Sequence, residues 1–133
     1  MSEQIIIKEI SEREVWVGEN HLYLENNIVY DIAKGDTNET IALGIKEVVL
    51  KFADTHNGKV NLFVDLTDAG KPSPEARKIY KAISENDKIG KIALAGLHPV
   101  ARILAASLIT ISGKKDLRFF KTKEESIVWL TEK

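Results

Sequence analysis

Residues Val60–Tyr80 read V-N-L-F-V-D-L-T-D-A-G-K-P-S-P-E-A-R-K-I-Y, and this stretch decides the fold. Val60–Asp65 is a short apolar run rich in β-formers. The polar Gly/Pro segment after Asp65 is predicted as a loop, and Ser73-Pro74 as a helix start with Ser at the cap and Pro at the first helical position. A loop at the carboxyl end of a parallel strand is where open α/β sheets place their sites. The stretch therefore predicts a fold class and a candidate site together, without specifying a chemistry.

Towards the C-terminus the same unit returns. Strand and helix patterns alternate over Val60–Asp65, Pro74–Ser84, Lys91–Ala95, Pro99–Ser112, Leu117–Phe120 and Lys123–Thr131. Such alternation predicts right-handed βαβ crossovers and a largely parallel sheet flanked by helices. His98 precedes Pro99 as Ser73 precedes Pro74, and Thr122-x-x-Glu125 is a capping box. Asp87–Gly90 and Gly113 are stop signals.

Towards the N-terminus the pattern is one of hairpins. Ile5-Ile6-Ile7, Val15-Trp16-Val17, Leu22-Tyr23-Leu24 and Ile28–Ile32 are β-type runs. Gly18-Glu19-Asn20 and Glu25-Asn26-Asn27 supply turn chemistry, because Gly and Asn tolerate positive φ. After Ile32, Asp36 and Glu39 form a capping box for a helix predicted over Thr37–Asp54. Its apolar stripe is Ile41, Ile45, Val48, Val49 and Phe52. Gly44 costs such a helix roughly 1 kcal/mol relative to Ala, which points to close packing on a sheet. Asn57-Gly58 ends the segment. The expected class is α/β: a mixed sheet of N-terminal antiparallel hairpins followed by βαβ units, with about four helices.

The 133 residues, 44% hydrophobic and 29% charged, suit one domain spanning residues 1–133. Nineteen Lys/Arg against 20 Asp/Glu leave a formal charge of −1, without the positive excess that nonspecific nucleic-acid binding draws on. No nucleic-acid partner is expected. The chain has no Cys, which removes disulfides, thiolate metal sites and Cys nucleophiles. Met1-Ser2-Glu3-Gln4 lacks the basic start of a signal peptide, so a cytoplasmic location is expected. Val100–Ile111 is nearly apolar but shorter than the roughly 20 residues a bilayer needs, so no membrane span is expected.

Phosphate-loop, dinucleotide, zinc-protease, nucleophile-elbow and EF-hand motifs are all absent. His21, His56 and His98 are dispersed. No catalytic residue, metal or cofactor is expected, nor an enzyme. Asn38-Glu39-Thr40 matches a glycosylation sequon in form, but is read as the first turn of a helix. Asp65, Thr67, Asp68 and Ser73 are polar groups near a strand end and a helix N-terminus, where an anion or phosphate is favoured. The plainer reading is preferred, with Ser73 a cap, Asp68 and Gly70 a turn, and Asp65 a strand end. His98 and Arg102 form a second candidate binding group, and an Arg stem lying along apolar surface is the plainer account there. The helix Val100–Ile111 must hide an apolar outer side against neighbouring elements, a second subunit or an apolar ligand. Trp16 and Trp129 are expected as core or interface anchors.

The segments N61-L-F-V-D-L-T, K91-I-A-L-A-G, P99-V-A-R-I-L-A, S112-G113, L117-R-F-F and E124-E-S-I-V-W-L carry a family likeness. Through them Ile28–Lys133 resembles a STAS domain, the fold of anti-sigma factor antagonists and sulfate-transporter tails. The closer resemblance is to SpoIIAA-like bacterial proteins grouped with CRAL-TRIO lipid-binding domains. The resemblance implies a regulatory or binding module without catalysis. Anti-sigma factor antagonists carry an Asp-Ser-Ser-Gly type motif at the start of the helix after this strand, and one Ser is phosphorylated. Here that place reads Lys71-Pro72-Ser73-Pro74-Glu75, without the acidic neighbour and the Gly. Ser73 and, nearer the strand end, Thr67 are the phosphoacceptor candidates. Two roles stay open. One is a regulatory module that binds a protein partner or itself as a homodimer. The other is a carrier of an apolar or acidic small molecule, such as a lipid, on the Val100–Ile111 helix with Arg102 at the headgroup.

Overall fold

The computed structural model describes residues 6–112 and 116–132. In it the chain builds one seven-stranded mixed sheet whose strands lie side by side in chain order. Strands β1 (Ile7–Ser11), β2 (Glu14–Val17), β3 (Asn20–Glu25) and β4 (Ile28–Thr37) form an antiparallel meander. Strands β5 (Val60–Pro72), β6 (Ile89–Ala95) and β7 (Leu117–Phe120) continue the sheet in parallel from β4. Helices α1 (Glu39–Thr55), α2 (Pro74–Ser84) and α3 (Pro99–Ser112) join the parallel strands, and α4 (Lys123–Thr131) follows β7. The predicted stop at Gly113, and the Ile5 that opens the first β-type run, lie outside the described residues.

Local chemistry accounts for the boundaries. Asn26 at φ 55° and Gly18 at φ 59° make the hairpin turns that needed positive φ. The Ala76 N–H donates to Ser73 Oγ over 3.1 Å with Pro74 at the first helical position, and the Glu125 N–H donates to Thr122 Oγ1 over 3.2 Å. Gly44 lets α1 lie close on the sheet: a Cβ there would stand 2.8 Å from Val17 Cγ1.

Two expectations need correction. The helix predicted over Thr37–Asp54 runs from Glu39 to Thr55, and its cap is Asn38, whose Oδ1 accepts from the Ile41 N–H at 2.9 Å. Asp36 instead accepts from the Lys71 N–H at 2.8 Å. That bond belongs to the second correction. The segment after Asp65 is not a loop: β5 continues to Pro72 alongside a lengthened β4, pairing Lys34 with Asp68, Gly35 with Ala69 and Thr37 with Pro72. Backbone groups that a loop would leave to water find partners across this ladder. Gly70 permits the close approach, since a Cβ there would collide with Asp36.

The two faces of the sheet are covered unequally. On one, Val29, Leu62, Leu66, Ile92 and Leu94 pack with residues from α1, α2 and α3 in the larger core. On the other, Ile28, Tyr30, Phe63, Ala93 and Ala95 pack with Trp129 and Leu130 of α4. Trp129 is the buried anchor of that smaller core, whereas Trp16 is half-buried and stacks on His21 with ring centroids 4.4 Å apart. No helix among the described residues is long and apolar enough to cross a membrane.

Candidate functional site

Two concavities lie beside the parallel strands. The first is an open cleft of about 240 Å3 at the carboxyl end of β6, beside the middle of β5 where its pairing with β6 stops, and facing the start of α4. Asp65 and Thr67 line it with Leu97, Lys121 and Lys123. Asp65 Oδ1 accepts the Thr67 N–H at 2.9 Å, which fixes the backbone of β5 where its pairing with β6 stops. Of the candidate residues, only these two are brought together here. Asp68 is exposed further along β5, and Ser73 is half-buried with its hydroxyl engaged by the Ala76 N–H. His98 is exposed and caps its own helix, its Nδ1 accepting from the Val100 N–H at 3.1 Å. The exposed Arg102 lays its guanidinium 5.7 Å from the centroid of the Phe119 ring, as a snorkelling Arg does.

The outer side of α3 begins with an apolar group. Leu97 is 74% exposed, Val100 43% and Ile103 68%, although Ala101 and Ala105 on the same helix are buried against the sheet. Burial within the domain therefore covers one side of α3 and leaves the other at the surface, next to the strand-end cleft.

The second concavity was not singled out from the sequence. A cavity of about 80 Å3 lies between strands β4 and β5 and helices α2 and α3. Its walls are mostly Leu, Ile and Val side chains, and Asp31, Thr37, Tyr80 and Ser84 bring polar atoms to it. Asp31 is only 5% exposed, and its Oδ1 has no hydrogen-bond partner. Burial first, and the charge of Asp65 on the neighbouring strand second, push its carboxyl up to about 7. Tyr80 is raised above its ordinary value by burial and by Asp31, against a hydrogen bond with Thr37 that lowers it. Arg77 and Lys81 of α2 stand at the rim, and Arg102 does not line this cavity. The one sequence signal was alternation in Ile28–Ile32, which places Asp31 on the same side as the core residue Val29.

The arrangement has recognition chemistry but no assembled nucleophile and base, and among the described residues no group of three or more metal-ligating side chains converges. No protein-family model matches the chain, and no curated protein matches it. Solved structures do. One is an uncharacterised protein of the DUF3478 family with a SpoIIAA-like fold from Shewanella loihica PV-4. It has a TM-score of 0.59 at 12% identity, over 84% of this chain and 91% of that one. The fold is SpoIIAA-like. A candidate anti-sigma factor antagonist from Thermotoga maritima matches with a TM-score of 0.57 at 18% identity, over 84% of this chain and 93% of that one. At these identities the SpoIIAA-like likeness is one of fold, as the resemblance of the strand and helix segments implied.

Proposed function

We propose that the chain is a regulatory binding module that docks a protein partner and carries out no catalysis of its own. The observation that carries this reading is the exposed group Leu97, Val100 and Ile103 beside the strand-end cleft. Large apolar side chains clustered at a surface, rimmed by polar groups such as Lys121, Lys123 and Arg102, are the usual make-up of a protein contact. The structural neighbour that is a candidate anti-sigma factor antagonist supports a regulatory role.

A phosphate added within this surface would act through charge. Thr67 is exposed on the cleft, where a phosphate would meet Lys121 and Lys123. Ser73 would first have to release the Ala76 N–H that it caps.

Affinity capture from the host lysate with the wild-type chain and with Ile103→Asp tests the reading. A defined protein held by the wild type and lost by the variant, whose Tm is unchanged, is the expected result, because substitution at so exposed a site costs little stability. Equal capture by both chains overturns the α3 surface as the docking site. A wild-type chain that only self-associates in sedimentation, losing this in Ile103→Asp, makes the partner a second copy.

A further inference from the structure

The cavity under α2 and α3 has a chemistry that a protein docked on the outer side of α3 would not use. Burying a carboxylate is costly unless it is paired or hydrogen-bonded. Asp31 is buried with Oδ1 unmatched, and the ion pairs among the described residues, His21–Glu14, Lys51–Glu9, Lys81–Glu85 and Lys88–Asp54, do not include it. The side chain faces a space of about 80 Å3, several times what a single water needs. Water is a poor filling for it, because each enclosed water needs two to four polar partners and most of this wall is hydrocarbon. An apolar sleeve with one unmet acceptor is complementary to a short alkyl chain that ends in a donor. Among donors, a cation gains most from a carboxylate in a water-poor site.

We propose that this cavity binds a short-chain primary alkylammonium, whose chain lies against Leu62, Leu94, Leu104 and Leu108 and whose ammonium group donates to Asp31 Oδ1. Thr37 and Tyr80 lie on the same wall and offer oxygen atoms to the other ammonium hydrogens. The partly exposed Leu104 and Leu108, with Arg77 and Lys81, form the outer limit of the cavity, so a chain longer than the enclosed space can leave between α2 and α3. The assignment is opposite in sign to an acidic headgroup, which Asp31 would repel.

The groups around the carboxylate set a pH dependence. Tyr80 lies near it from α2 with Arg77 and Lys81 at the cavity rim, Asp65 acts on it from β5, and α3 contributes only Leu104 and Leu108. Asp31 titrates near 7, so it is ionised above that pH and the ammonium complex weakens as pH falls below it.

Amide NMR titrations with n-butylammonium at pH 8, with n-butanol and butyrate as neutral and anionic controls at matched ionic strength, test the proposal. Butylammonium is expected to give saturable shifts at Thr37, Tyr80 and Leu108, and butanol to bind at least roughly tenfold more weakly. Butyrate should give none. Asp31→Asn should reduce butylammonium to the butanol level, and Leu104→Trp should remove binding by filling the space with Asp31 intact, which keeps the test decisive if the first variant does not fold. Shifts that do not saturate, butanol binding as tightly as butylammonium, or Asp31→Asn binding as the wild type does would each overturn it. So would ordered water that persists on Oδ1 in excess butylammonium.

Discussion

Asp31 and Asp65 are the same side chain on neighbouring strands, one pairing step out of register, with Asp31 opposite Val64 and Ile32 opposite Asp65. That single step sends them to opposite faces of the sheet. Asp31 enters the face under α1, α2 and α3, loses water on all sides and keeps an unmatched oxygen. Asp65 enters the α4 side where β5 stops pairing with β6, stays half-buried in an open cleft and accepts the Thr67 N–H. The covering of each face decides the difference. Helices α2 and α3 enclose one carboxylate beside a cavity, whereas α4 leaves the other at an open cleft where its work is to fix the backbone of β5.

The thin cover is the place to break this contrast with the largest effect. Trp129 is 7% exposed and packs against Phe120 at 5.5 Å between ring centroids, with the Lys91 and Arg118 side chains each 5.2 Å from its ring centroid. Trp129→Ala should cost about 3–5 kcal/mol in urea unfolding, as large-to-small core changes do. Hydrogen exchange should show α4 amides opening well before those of α1, because besides Trp129 α4 buries only Leu130 and the small Ser126. A loss under about 1 kcal/mol would mean that α4 does not depend on this anchor and that the two faces are not so unequal.

A smaller effect, of opposite sign, is expected on the thick side. Below about pH 4 the Asp31 carboxyl is protonated in both folded and unfolded chains. Between there and about 7 the folded chain keeps a proton that the unfolded one releases, so stability falls as pH rises, and above 7 the penalty is constant. A carboxyl moved from 3.8 to about 7 carries a ceiling of about 4 kcal/mol once ionised. The amide of Asp31→Asn must still be desolvated, so the variant should gain roughly 1–3 kcal/mol at pH 8 and almost nothing at pH 4. Urea unfolding at the two pH values reads this directly. An Asn variant that is no more stable at pH 8 would show that the carboxylate already has compensation in the wild-type fold.

Legibility in the sequence followed the range of the interactions. Ser73, Thr122, Asn26 and Gly44 were readable because a cap, a turn or a close approach is decided by a few neighbouring residues. The tail of β5 was not: Asp68–Pro72 carries turn residues, and only the extension of β4 opposite makes it a strand. The same ladder takes Asp36 away from the capping box that its neighbours suggested. Asp65 and Thr67 were visible as polar residues after an apolar run, although β5 does not end there. Asp31 was visible only by parity with Val29, and parity says which way a side chain points, not whether the helices above leave space and a missing partner. That depends on how α2 and α3 are spaced over the sheet, which no local pattern encodes.

The smallest expected effect asks whether the two carboxylates are independent at all. The charge of Asp65 is the second cause, after burial, that raises Asp31, although the side chains lie on opposite faces of the sheet. Asp65→Asn keeps an oxygen able to accept the Thr67 N–H, so global stability should change by less than about 1 kcal/mol. The midpoint of Asp31, followed by carbon-detected NMR of its carboxyl, should move down from about 7 towards ordinary carboxylate values while remaining raised by burial. The alkylammonium complex of Asp31 should then persist to lower pH than in the wild type, because the carboxylate it needs is ionised there. An unmoved midpoint would show that solvent in the open cleft screens Asp65 completely. In that case burial alone sets the chemistry of the thick face, and a partner or a phosphate at the strand ends has no electrostatic route through the sheet to the cavity.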